Sequence, residues 1–144
     1  MKGAALLGLV LVLGLAACAG GEDDRAGPEE VVRAWSRALN AGDNRAAAAL
    51  FAVGARIEQF DFVLTVRSLD DALVWNRTLP CSGEIVRLTL RGEEEATATF
   101  LLGDRRASPC DAPGGEAVAL FRVRDGKIVL FRQLPADAPP QDTI

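Results

Sequence analysis

Two polar residues are placed where chemistry could be done. Asp61 lies between two aromatic residues in QFDFV, and Arg132 lies late in an apolar stretch, VLFRQLP. A carboxylate held among rings takes a raised pKa and can act as a general base. A guanidinium on an inward face can grip a carboxylate or phosphate. Each residue also has a plainer reading, and the plainer one is favoured. Asp61 fits a turn between two strands, its carboxylate in water or on nearby N–H groups. Arg132 fits an ion pair with a carboxylate such as Asp61 or Glu84, or a strand end twisted to the rim. Trp35, Phe60, Trp75, Phe100 and Phe121 would line an apolar pocket or simply fill a core. The chain has no His and no Tyr, which removes the commonest acid–base side chains. No phosphate loop, dinucleotide glycine pattern, zinc spacing or catalytic triad occurs.

The three cysteines divide into one and two. Cys18 follows a charged start at Lys2 and an apolar run, Ala4 to Ala17, too short to span a bilayer as a helix of about 20 residues. That reads as a secretory signal. Leu15-Ala16-Ala17-Cys18 resembles the bacterial lipobox, which implies cleavage before Cys18 and lipid on its sulfur. The alternative is an ordinary signal peptide with Cys18 incidental. Cys81 and Cys110 read as a disulfide in an exported domain. A metal pair or two free thiols are the other options, and two thiolates without His make no structural zinc site.

The net charge of −4 and the absence of a basic run exclude nucleic acid as the expected partner. Residues 1–17 read as signal peptide, 18–27 as an acidic, Gly-containing tether, 28–135 as one domain and 136–144 as a loose Pro-rich tail.

Within the domain, Pro28, Glu29 and Glu30 open a helix with Val31, Trp35, Ala38 and Leu39 on its apolar stripe, stopped at Gly42. Asp43 caps a short helix over 44–52. Strands follow at 55–60 and 62–66. Ser68 and Asp71 form a capping box for a third helix over 69–79. From Glu84 the pattern is all strand. Matching apolar faces pairs Leu90 with Ala98, Leu88 with Phe100 and Val86 with Leu102, around a turn near Glu93 to Glu95. Extending that register sets Cys81 opposite Ala107, within loop reach of Cys110. Asp125-Gly126 makes a two-residue turn that sets Val123 opposite Ile128, Phe121 opposite Leu130 and Ala119 opposite Arg132. Arg132 then faces inward.

The order of helix, short helix, strand, helix and hairpins, with EEVVRAWSRALNAGDNRAAAALFA and FRVRDGKIVLFRQL as its signature pieces, resembles the NTF2-like (SnoaL-like) superfamily. The resemblance implies an α+β cone, a curved antiparallel sheet wrapped around three helices of the N-terminal half, with an interior pocket. It makes homodimerisation through the sheet face an expected option. Activity does not come with the fold. The enzymes compared use His, Tyr or an interior Asp, and Arg132-Gln133 stands where some carry a late carboxylate.

The expected function is a non-catalytic, extracytoplasmic domain anchored to the cell membrane or outer membrane through Cys18. It would need no cofactor or metal, and would bind a small apolar ligand or an envelope protein. An isomerase or dehydratase using Asp61 with Arg132 as electrostatic partner is the second reading. A docking module with a filled cone is the third.

Overall fold

The chain is described by a computed structural model over residues 25–137. The segment expected to be a signal peptide, Cys18, and most of the expected tether and tail lie outside the described residues.

Pro28 starts helix α1 (Pro28–Asn40), where its missing N–H costs nothing, and Glu29 and Glu30 occupy the positive end. One stripe, Val31, Val32, Trp35, Ser36 and Leu39, is buried. Gly42, at φ +74°, takes the left-handed turn that ends it. Asp43 accepts from Ala46 N at 2.9 Å and caps α2 (Asn44–Ala49). Helix α2 is shorter than expected, because Phe51 already begins strand β1 (Phe51–Gln59). Gly54 falls within β1. At φ +90° it sits in an irregular stretch of β1, which takes five residues from Phe51 to Arg56 where its neighbour takes two.

Strand β2 (Phe62–Thr65) returns antiparallel to β1. Helix α3 (Leu69–Thr78) has the expected cap: Ser68 Oγ accepts from Asp71 N, and Asp71 Oδ2 accepts from Arg67 N at 2.8 Å. It stops at Thr78 because the residue before Pro80 is driven out of helical geometry. Strands β3 (Ser82–Arg91), β4 (Glu95–Gly103), β5 (Glu116–Arg124) and β6 (Lys127–Leu134) complete a curved six-stranded sheet in the order β2-β1-β6-β5-β4-β3. All pairs are antiparallel except β1 with β6.

Two registers differ from expectation, and a bulge enters each. Leu88 pairs with Ala98 and Leu90 with Ala96, so the β3–β4 turn is the tight Gly92-Glu93-Glu94. Val86 is an extra residue, which turns Ile85 rather than Val86 toward Phe100 and leaves Val86 half exposed. Pairing ends at Ser82 with Gly103, so Cys81 is not opposite Ala107. The loop after β4 turns back instead, and Cys81 and Cys110 are bonded with Cα atoms 4.6 Å apart. A closure of this separation, 29 residues, is worth about 3–4 kcal/mol in the chain-entropy account. In the last hairpin Val123 does face Ile128 across Asp125-Gly126. Val129 is then extra, so Phe121 faces Phe131, Leu120 faces Arg132 and Ala119 faces Gln133.

The helices fill the concave side. Trp35 is the centre of a ring cluster, with its centroid 5.4 Å from Phe121, 5.8 Å from Phe100 and Phe131, and 6.2 Å from Trp75. Gly83 lets α1 and β4 come close. A Cβ there would lie 2.9 Å from Phe100 Cβ, and Ser36 Oγ and Asn40 Nδ2 both donate to Gly83 O.

Candidate functional site

At the end of the sheet where β1, β4 and β6 finish and β3 and β5 begin lies a cavity of about 260 Å³. Its apolar wall comes from Trp35 and Leu39 of α1, Leu79 after α3, Phe100 of β4 and Phe131 of β6. Phe60, Pro80 and the Cys81–Cys110 disulfide region stand at its rim.

The polar wall is two glutamines. Strand alternation and the Val129 bulge turn Gln133 inward beside Gln59. Gln59 Nε2 donates to Gln133 Oε1 at 2.9 Å, and Gln59 Oε1 accepts from Trp75 Nε1 at 3.2 Å. Gln133 Nε2 donates to no protein group among the described residues and remains available. The wall's hydroxyls are already used: Ser36 donates to Gly83 O and Ser82 to Asp104 O. Asp111 is the one charged residue of the wall, on an exposed loop, with Oδ1 3.3 Å from Cys81 Sγ. Cys81, Cys110 and Asp111 form the one ligand-spaced acid and thiol grouping among the described residues, but two of its members are spent in the disulfide.

The residues singled out from sequence are not all brought together. Trp35, Phe60 and Phe100 border the cavity. Trp75 and Phe121 lie behind that wall in the buried ring cluster. Asp61 is exposed in the two-residue turn between β1 and β2 and does not border the cavity. Arg132 faces outward, contrary to the inward face expected for it, because Val129 shifts the alternation by one. Nor does it pair with Asp61 or Glu84. On the outer face Arg132 Nε and Arg56 Nε both donate to Glu58. Those two guanidiniums, Arg132 first, hold the Glu58 carboxyl below its ordinary range, and Glu58 in turn raises Arg132. Sequence reasoning missed Gln59, and it noted Gln133 only as an absence of carboxylate. The signal that would have found them is their position at the ends of adjacent strands, which needs the parallel β1–β6 pairing.

No protein-family model matches the chain, and no curated protein matches it in sequence. Solved structures do. A protein from Sphaerobacter thermophilus superposes with TM-score 0.59 at 18% identity, over 76% of this chain and 97% of that one. An NTF2-like protein of unknown function from Cytophaga hutchinsonii gives 0.60 at 10%, over 74% and 87%. A protein with a ketosteroid isomerase-like fold from Catenulispora acidiphila, solved with trimethylamine, gives 0.58 at 20%, over 78% and 99%. At such identities the likeness is one of fold: the chain has the NTF2-like fold, shared with ketosteroid isomerase-like and polyketide cyclase proteins.

Proposed function

We propose that the protein is a lipid-anchored, extracytoplasmic binding domain that holds a small, uncharged, mostly apolar ligand in its cone without transforming it. The observation that carries this reading is the composition of the cavity wall. Aromatic and aliphatic side chains surround one free amide donor, and the single carboxylate, Asp111, is at the exposed rim. Such a wall rewards burial of apolar surface and offers one directional hydrogen bond. A general base needs to reach the proton it takes. Asp61, the base of the alternative isomerase-type reading, projects from a turn outside the wall.

Native mass spectrometry of the full chain, extracted gently from its own membrane, tests the reading. The expected spectrum carries a discrete small-molecule mass that survives Arg132→Ala and is lost in Ala117→Phe, which fills the cavity. A bare chain, or one carrying only another protein, overturns it in favour of a docking module with a filled cone. Turnover of a bound compound that stops in Asp61→Asn would favour the enzyme.

A further inference from the structure

One residue at the cavity rim is costly for the fold: its two-residue turn demands a left-handed backbone there but does not explain its side chain. Phe60 has φ +53°. Among the described residues, every other residue with positive φ is Gly, apart from Asp125 in its Asp-Gly turn. Glycine and short polar residues tolerate this region, whereas a bulky aromatic is strained there. Asp61, the next residue, is of a type that tolerates that geometry, yet the phenylalanine holds it. Packing does not compensate. Phe60 is 80% exposed, more than any other large hydrophobic residue described. The root of the turn is firmly held, since Gln59 is fixed to both Trp75 and Gln133. A strained turn on an anchored root thus carries an unpacked ring at the mouth of an apolar cavity.

We propose that Phe60 is a ligand-contacting residue, the ring that covers the mouth, and that the ligand it selects is planar and conjugated, with one hydrogen-bond acceptor for Gln133 Nε2. This rests on the binding reading above and narrows its ligand class. An exposed ring gains from stacking on a flat face in offset or edge geometry, and gains less from a puckered aliphatic ring. The lack of an ionisable group in the inner wall selects against an acid or a cation. At about 260 Å³ the cavity falls below the roughly 300–1,000 Å³ of common ligand pockets, which limits the ligand to a few rings.

The test uses the full chain and the neutral dye N-phenyl-1-naphthylamine. Binding is read as energy transfer from tryptophan, because Trp35 borders the cavity. Biphenyl and bicyclohexyl serve as competitors of like size with flat and with puckered rings. The wild type should bind the dye and release it to biphenyl at lower concentration than to bicyclohexyl. Phe60→Asn should weaken dye binding by about two- to tenfold, the worth of one aromatic contact, and Phe60→Leu should do so too. Bicyclohexyl should lose nothing in either. The Tm of Phe60→Asn should hold or rise, because Asn relieves the backbone; a purely structural phenylalanine would lower it. Equal dye affinity in the wild type and both variants, with no preference between competitors, overturns the role of Phe60 and leaves the cavity reading standing. Absence of transfer in every folded variant, the wild type included, removes the cavity reading and this inference with it.

Discussion

Arg105 is 8% exposed and has no carboxylate partner among the described residues. Its guanidinium is held by neutral oxygens. Nη1 donates to Asn76 O at 2.7 Å and Leu79 O at 3.0 Å, and Nη2 donates to Asn44 Oδ1. Two of these acceptors lie at the C-terminal end of α3, where the helix dipole favours a cation. Burial lowers the Arg105 pKa, but a guanidinium keeps its proton. One residue thus ties α2, α3 and the loop after β4 together. Arg105→Met should cost about 2–4 kcal/mol, since it strands buried carbonyls rather than replacing both partners. A urea titration measures this, and an unchanged midpoint would show that water serves those carbonyls equally well. Arg105→Lys should recover only part of the loss, lacking the fork. Nothing in the loop GDRRASPCD distinguishes Arg105 from Arg106, whose guanidinium lies near the surface. Burial of one and exposure of the other is decided by which carbonyls the fold leaves unpaired.

Strand β6 carries one consequence of its bulge on each face. Inward, Val129 brings Gln133 to the cavity; outward, it aligns Arg132 with Glu58 of β1. The ion pairs among Arg56, Glu58 and Arg132 join the two parallel strands, and their effect is set by pH. The Glu58 pKa is lowered in the folded chain, so its contribution is present above the unfolded value of about 4.3 and is lost as pH falls through the folded value. Thermal melts of the wild type and Glu58→Gln should therefore differ at pH 6 and converge in acid. A gap that widened in acid would have the wrong sign for this assignment. The helices, their caps and the Asp125-Gly126 turn were legible because caps and turns are local chemistry. The irregularities near Gly54, at Val86 and at Val129 were not. An extra β-branched residue in a run of β-formers leaves the alternation looking whole, while every side chain beyond it changes face. For that reason unbroken alternation points Arg132 inward and passes over Gln133, while the helical stripe that carries Trp35 shows its apolar face directly.

At the scale of the molecule, the described chain enters at the end of the sheet that carries the β5–β6 turn. Arg25 pairs with Asp125, and Ala26 lies against Gly126, beside the Glu93-Glu94 turn. Among the described residues no helix is long and apolar enough to cross a membrane. If lipid on Cys18 is the anchor, the full chain expressed in a bacterium should enter the detergent phase, and Cys18→Ala should move it to the aqueous phase. A wild-type chain found in the aqueous phase would remove the anchor. Six residues lie between Cys18 and Arg25, and the seven steps from one to the other span at most about 25 Å. The cavity opens at the opposite end of the strands from that attachment. Were the chain held through Cys18, as proposed above, that mouth would lie at the pole of the domain away from the attachment. A ligand of the proposed kind would then enter from the aqueous side rather than sideways from the lipid beneath.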